Sequence, residues 1–327
     1  LQEVHVTERA MFKRCRRKWK YQCLWELVPK HEQLGALWIG TGVHYGLAEY
    51  YKNKRDPWEA TQEWIDLKLP TLNLENMWPE ERAQVTGSLS LMESILTGYV
   101  AFAQTKDDFK VIDVEEPLRV HVPGTRVALV GQLDVLVRRG RRSDLWVMDH
   151  KTAVQYINVV NLEMDDQMTA YLWLTWRVHG EIPGGALYNE LRKKIPARPE
   201  PLARGGLSKN KNCDTTYEIY LQAVKDNDLD PKDYEDILEF LRNKPDGFYR
   251  REIVARTKYE LEHFAENLVP EVKAMNSKLT PLYPSPTRDC SWDCPYRDLC
   301  LCETTGGHLD GLIESLFEHA EGGRRAI

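Results

Sequence analysis

Apolar positions along the chain step with two different periods, helical near both ends and alternating in the middle. Met11, Cys15, Trp19 and Cys23 recur every fourth position and predict a helix over 7–25 with Thr7 as its N-cap. Pro57 opens a second helix over 57–69. The clearest stripe is Val85, Leu89, Met92, Ile95, Tyr99 and Phe102, spaced three or four apart, which predicts a helix from Pro79 to about Gln104. Strand-like runs follow over 111–121, 127–138, 144–152 and 185–191, interrupted by a helix over 163–179. An acidic amphipathic helix over 231–243 leads to a strand from Gly247 to Val254. Thr257-Lys-Tyr-Glu260 is a capping box that opens another helix. A last helix covers 308–320, and Gly322-Gly323 begin a frayed tail. Helices flanking a block of strands imply a mixed α/β fold. No repeat or low-complexity block interrupts the order. The polar, Gly-containing stretch 192–216 reads as a functional loop.

Composition narrows the class. The chain has 327 residues with 42% hydrophobic and 29% charged, a globular balance. A net charge of −6 excludes a blanket polycation. The charge is nevertheless focused. Arg9–Lys20 and Arg192–Lys211 are basic strips, Arg138, Arg139, Arg141 and Arg142 form a basic knot, and Lys225–Glu239 is acidic. Such strips guide a polyanion along one face. No apolar run approaches the roughly 18 residues of a membrane span, so no membrane partner is expected. Leu1-Gln2-Glu3-Val4-His5 has neither the basic head nor the apolar run of a signal peptide, which points to the cytoplasm. There is no G-x-x-x-x-G-K-S/T phosphate loop, so any helicase is a separate partner. Seven cysteines without a secretion signal suggest a metal site rather than a disulfide framework. Three of them are clustered in Cys290-Ser-Trp-Asp-Cys294-Pro-Tyr-Arg-Asp-Leu-Cys300.

One hairpin concentrates the chemistry. Gly131-Gln-Leu-Asp134-Val-Leu-Val137 runs into a basic turn and returns as Leu145-Trp-Val-Met-Asp149-His-Lys151. A turn centred on Arg141–Arg142 sets Asp134 opposite Asp149, about 5 Å apart on one face. Lys151 lies two residues on and shares that face. Two opposed carboxylates repel and are costly to desolvate, and a hard divalent cation relieves both.

These residues resemble the PD-(D/E)XK nucleases, in particular the RecB-like branch with phage exonucleases and CRISPR adaptation nucleases. The signature elements are Gly131-Gln-Leu-Asp134, Asp149-His-Lys151 and Gln167-Met-Thr-Ala-Tyr171, preceded by Gly42-Val-His44. The resemblance spans residues 7–300 and implies a restriction-endonuclease-like mixed central sheet flanked by helices. It also implies Mg²⁺ or Mn²⁺ on Asp134, Asp149 and the carbonyl of His150, with His44 as an added ligand. Lys151 would activate water, and Gln167 and Tyr171, one helical turn apart, would bind the DNA backbone or position Lys151. Glu115 or Glu116 supplies an acid from the preceding strand; alternation alone leaves open which of them points inward.

Some members clamp the domain with a 4Fe–4S cluster. Cys15 in a basic N-terminal helix, with Cys290, Cys294 and Cys300, resembles that ligand set, and Zn²⁺ is the alternative occupant. The C-x3-C-x5-C spacing is one residue longer than the commonest form, and Cys302 is a candidate substitute for Cys300. Cys23 and Cys213 read as ordinary thiols.

The expected organisation is one nuclease domain over 1–305, with 1–30 and 285–302 joined in a cluster subdomain, and a C-terminal helix and tail over 306–327. The expected function is metal-dependent DNA exonuclease action in phage or cellular recombination and repair. Arg16, Arg17, Lys193, Lys194, Lys209 and Lys211 would track phosphates of a single strand or duplex end. The alternatives are a catalytically silent DNA-binding scaffold and a CRISPR-type end-trimming nuclease.

Overall fold

The computed structural model describes residues 2–30, 36–72, 75, 77–244, 247–291 and 294–320. The expected Gly322-Gly323 tail lies outside these. In chain order the elements are β1 (Gln2–His5), α1 (Val6–Arg14), α2 (Arg16–Trp19), β2 (Leu27–Pro29), α3 (Ala36–Asn53), α4 (Pro57–Lys68) and α5 (Pro79–Lys106). Then come β3 (Phe109–His121), β4 (Val127–Arg139), β5 (Asp144–Ala153), α6 (Val159–Leu162), α7 (Asp166–His179) and β6 (Gly185–Arg192). The remainder is α8 (Tyr217–Asp226), α9 (Glu235–Arg242), β7 (Tyr249–Val254), α10 (Lys258–Met275), α11 (Arg297–Thr304), α12 (Asp310–Leu316) and β8 (Phe317–His319).

The central sheet is mixed. β3 pairs antiparallel with β4 along nearly its whole length. The other edge of β4 is divided between two strands. β1 pairs parallel with Val127–Val130, and β5 pairs antiparallel with Val135–Arg139. β5 continues parallel to β6, and β6 is antiparallel to β7. Gly131 to Asp134 therefore have no ladder partner on that edge, and β4 and β5 diverge as a fork.

Strand alternation sends side chains into two helical layers. On one face Val135, Val137, Met148 and Leu187 pack against Val43 and Leu47 of α3 and Met92, Ile95 and Tyr99 of α5. On the other, Leu136, Val147 and Ala186 pack against Met168, Leu172 and Trp173 of α7 and Leu261, Phe264 and Leu268 of α10. The α5 stripe read from sequence is the buried face of that helix.

The expected helix over 7–25 is broken. Cys15 is extended (φ −158°, ψ 109°) and separates α1 from α2, and the chain continues as a π-turn over Lys20–Leu24. Extension at Cys15 turns its sulfur onto the Lys18 amide (3.5 Å) and the Ser285 amide (3.5 Å), local bonds that compete with the helical ladder. The first helix also begins at Val6, because β1 precedes it and His5 serves as the N-cap. The expected last helix over 308–320 is shorter: α12 ends at Leu316 and β8 pairs antiparallel with β2. Tyr21 and Leu27 share a small core with Tyr296, Leu299 and Phe317, which fastens the N-terminal segment to the C-terminal one.

The polar stretch 192–216 is held by its own satellite core. Leu207 packs with Tyr220, Tyr234 and Ile237, and Leu207 bridges to Pro201.

Candidate active site

Four elements meet at the fork. β4 supplies Asp134, β5 supplies Asp149 and Lys151, α7 supplies Gln167 and Tyr171, and α3, from the opposite helical layer, supplies His44. The hairpin register agrees with a turn centred on Arg141–Arg142, but the ladder ends at Val135 and Met148, one pair short of the two acids. The His150 amide, which has lost β4 as a partner, instead donates to Asp134 Oδ2 (2.6 Å). A buried N–H must be satisfied somewhere, and here a carboxylate does it.

Asp134 Oδ1 lies 3.2 Å from His44 Nδ1. Burial opposes ionisation of both groups, yet their attraction prevails: the Asp134 carboxyl is held well below the usual range and the His44 imidazole is raised. Asp149 is in the reverse position. Burial, aided by repulsion from Asp134, pushes its carboxyl up to about 6 against the pull of Lys151. Burial disfavours the Lys151 ammonium, but Asp149 and Asp134 outweigh it and hold the lysine above its ordinary range. Asp149 Oδ2 is buried 2.7 Å from Lys151 Nζ, and no other partner reaches it among the described residues. The side chains of His44 and Lys151 remain 32% and 29% exposed, so the site opens to solvent at these two groups.

Gln167 Nε2 donates to Tyr171 Oη (3.1 Å). Burial raises the Tyr171 phenol, and both Asp149 and Lys151 act on it electrostatically, which places it beside the acid–lysine pair. Gly131 permits this approach. A Cβ there would come within 2.8 Å of Leu174 Cδ1 and 3.0 Å of Tyr171 Cε1. Gly42 plays a similar part for α3, where a Cβ would strike Met92 Sδ at 2.5 Å, so the helix bearing His44 lies close on α5.

The structure separates the two adjacent glutamates. Glu115 has φ +58° and accepts from Gln132 Nε2 (2.6 Å). Burial and the charge of Asp134 push its carboxyl up to about 6, which puts it on the side of the site. Glu116 lies instead 3.1 Å from His179 Nε2.

The His150 imidazole faces the other layer. Its ring stacks on Tyr51 (5.6 Å, 17°), and its Nδ1 is 2.8 Å from Asn189 Nδ2. Burial lowers it to about 3, and its ring meets that of His44 edge-on at 6.0 Å, on the α3 side of the fork. Arg251 bonds to Asn189 Oδ1, Tyr99 Oη and Asp107 Oδ1, completing a polar network under the site. Sequence periodicity gave no sign of this network, because its members read as core aromatics and surface charges.

The basic residues are dispersed. Arg16 stacks on Phe12 and Tyr283, and Arg17 donates to Thr304 Oγ1 (2.8 Å). Lys194 pairs with Asp214 (2.5 Å), and Lys209 and Lys211 lie over Tyr234 and Phe240. Lys193 is half-buried, and burial lowers its ammonium.

No disulfide joins any of the seven cysteines. Cys15 and Cys290 are close enough to Cys294 to raise its thiol, although burial is the larger cause. Cys290 Sγ accepts from the Thr287 amide (3.4 Å), and Cys300 Sγ accepts from Arg17 Nη1 (3.8 Å). The Cys302 thiol donates to the His308 carbonyl (3.4 Å). Among the described residues, no three His, Cys, Asp or Glu side chains converge closely enough to form a preassembled metal cage. The donor sets nonetheless suit the implied groups. Two carboxylates, one with a buried oxygen whose partner is Lys151 alone among the described residues, suit a hard divalent cation, and thiols already receiving N–H donors suit a thiolate-bound metal or cluster.

No helix among the described residues is long and apolar enough to cross a membrane. No curated protein matches the sequence. A solved structure described as the crystal structure of SSO0001 aligns over 91% of this chain and 85% of its own, at 12% identity and a TM-score of 0.36. The family assignment comes from the sequence, which matches the PD-(D/E)XK nuclease superfamily over residues 6–301. The chain belongs to that superfamily.

Proposed function

We propose that this PD-(D/E)XK nuclease is a Mg²⁺- or Mn²⁺-dependent DNA exonuclease of the RecB-like type, acting in the cytoplasm in recombination or repair. The observation that carries the reading is the fork: Asp134, Asp149 and Lys151 gathered where β4 and β5 part, with His44 and Glu115 beside them. Asp134, Asp149, the carbonyl of His150 and His44 would hold the cation. When bound, it supplies positive charge at the scissile phosphate and acidifies water. The chain's own groups do the rest. The His150 amide and His44 fix the orientation of Asp134. Lys151, held as an ammonium by two carboxylates, stabilises negative charge that develops on the phosphate. The Gln167–Tyr171 pair, beside Asp149 and Lys151, positions the strand.

Cys15, Cys290, Cys294 and Cys300 are the ligands of a 4Fe–4S cluster in this reading, with Zn²⁺ as the competing occupant. Cys300 is preferred to Cys302, because its sulfur receives the Arg17 guanidinium while Cys302 is engaged by His308. Such a cluster would tie Arg14–Arg17 to the C-terminal segment, where Arg14–Asp289 (2.9 Å) and Lys20–Glu303 (2.8 Å) already join the two. A separate helicase or recombination protein would supply unwinding.

The decisive experiment is digestion of 5′- and 3′-labelled single- and double-stranded DNA with Mg²⁺, with Mn²⁺ and with EDTA. Stepwise shortening from an end that EDTA abolishes supports the proposal. Intact DNA under every condition, with DNA still bound, would identify a silent scaffold instead.

A further inference from the structure

Beside the catalytic face lies a second concavity that none of the motif residues enters. It is an open trough of about 610 Å³ between the end of α3 and the first half of β3. Tyr50, Phe109, Lys52, Lys54 and Lys110 contribute to its wall. All three lysines are exposed, and among the described residues none is held in an ion pair. The acids nearby are engaged. Asp107 pairs with Arg251 (2.8 Å), and Asp113 Oδ1 accepts the Val114 amide (2.7 Å). With Asp113 the one lining acid that no cation pairs among the described residues, the trough presents an excess of ammonium groups next to half-buried aromatic rings.

Its shape is specified by the backbone. The β3–β4 register shifts between Val111 and Asp113, a bulge in the trough wall. Lys54, directly after the end of α3, and Glu115, just past the trough wall, have φ +57° and +58°, left-handed residues that stop the helix and turn the strand there. The trough also connects to the chemistry. Tyr51 lines it and stacks on His150, while Lys52 is close enough to Glu115 to act on its carboxyl.

We infer that this trough binds a single polynucleotide strand next to the scissile phosphate, with Lys52, Lys54 and Lys110 on its phosphates and Tyr50 and Phe109 against its bases. Phosphate-neutralising cations interleaved with aromatic faces are the chemistry of single-strand binding without base readout. The volume is that of a small-molecule pocket, enough for one or two nucleotides and too small for a duplex. The inference rests on the nuclease reading for the identity of the ligand, and it assigns the path of the strand to the α3–β3 side of the fork rather than to the dispersed lysines of 192–216.

The test measures binding rather than cleavage. The full chain is titrated with a fluorescent oligothymidylate in EDTA and in Ca²⁺, over a range of salt concentrations, and compared with a blunt duplex of the same length. Each lost single-strand phosphate contact flattens the log–log salt dependence by about 0.7, so Lys54→Ala/Lys110→Ala should flatten it by about 1.4. A control pair outside the trough, Lys225→Ala/Lys278→Ala, should leave the slope unchanged. An unchanged slope in the trough variant, or equal flattening in both variants, overturns the inference. DNA degradation by the parent protein is scored separately. A parent that binds the oligonucleotide through the trough but cleaves nothing sinks the nuclease reading and leaves the trough. A parent that cleaves, with a trough variant that binds as the parent does, sinks only the trough.

Discussion

Gly131→Ala tests why a glycine stands three residues before the first catalytic acid. The added methyl would lie 2.8 Å from Leu174 Cδ1 and 3.0 Å from Tyr171 Cε1, and neither neighbour has room to yield: Leu174 is 0% and Tyr171 6% exposed. Overpacking of this kind costs about 1–3 kcal/mol. At roughly 2–4 °C per kcal/mol for a domain of 150–250 residues, with the lower figure fitting a longer chain, the melting temperature should fall by about 2–6 °C. The functional loss should be larger than the stability loss. Tyr171 is displaced together with Gln167, and misplacing a positioning group by about 1 Å can cost about a hundredfold in rate. Gly87→Ala in α5 is the matched control, because nothing lies within 4 Å of its Cβ and the position is an exposed helical one. It should stabilise by up to about 1 kcal/mol and leave cleavage alone. Leu174→Ala in the Gly131→Ala background should be less harmful than the two changes summed, since one makes the space that the other fills. Calorimetry and initial rates on a labelled DNA would decide. A Gly131→Ala protein that melts and cuts like its parent refutes the close-approach argument.

Other outcomes follow from the same geometry. Asp149→Asn and Lys151→Ala should each lower cleavage by about two to four orders of magnitude while leaving DNA affinity in Ca²⁺ near the parent value; a well-folded Lys151→Ala protein with the parent rate would remove Lys151 from the chemistry. Glu115→Gln should stabilise the metal-free protein at neutral pH. The folded-state pKa of Glu115, about 6, lies above its ordinary 4.5, so its contribution is lost as pH rises through that window, and the variant's advantage should grow from pH 4.5 to 6 and then level off; melting curves with no pH trend in the difference would contradict the burial argument. Protein purified without oxygen should be brown, and Cys294→Ser should bleach it and reduce its solubility; colourless, active protein with stoichiometric zinc would replace iron–sulfur by zinc.

Much of the fold was legible where the signal is local. The α5 stripe, the Pro57 start and the Thr257 capping box each depend on residues within a turn or two of one another, and each element forms at those positions. The β4–β5 register was readable for the same reason, because a tight turn with Gly140 and Ser143 at positive φ leaves little freedom in the pairing. What escaped was set from a distance. The helical stripe over 7–25 runs straight through Cys15, and the break there is drawn by bonds that include the Ser285 amide. Glu115 and Glu116 could not be ordered by alternation, because the bulge at Val111–Asp113 and the left-handed turn at Glu115 upset the period of two. The packing of 192–216 was not legible, because the residues that cover it, Tyr220 and Tyr234 among them, come later in the chain.

The fork shows why a motif can be legible while its geometry is not. Opposed acids in a continuous ladder would face each other across paired backbones and simply repel. The four residues of β1, too short to carry a pattern, occupy the edge of β4 up to Val130, and β5 joins only from Val135. In the interval the sheet gives up its own hydrogen bonds, the His150 amide turns to Asp134, and His44 holds that acceptor ionised. Asp149, one step from the end of the ladder, is left with Lys151 as the partner of its buried Oδ2. Two chemically identical side chains thus acquire opposite affinities for a proton because one faces the His44 imidazole, while burial and the charge of Asp134 outweigh Lys151 at the other. That asymmetry is created by which elements lie beside which, α3 with its His44 included, and it explains why spacing could nominate Asp134 and Asp149 together yet could not assign them different states.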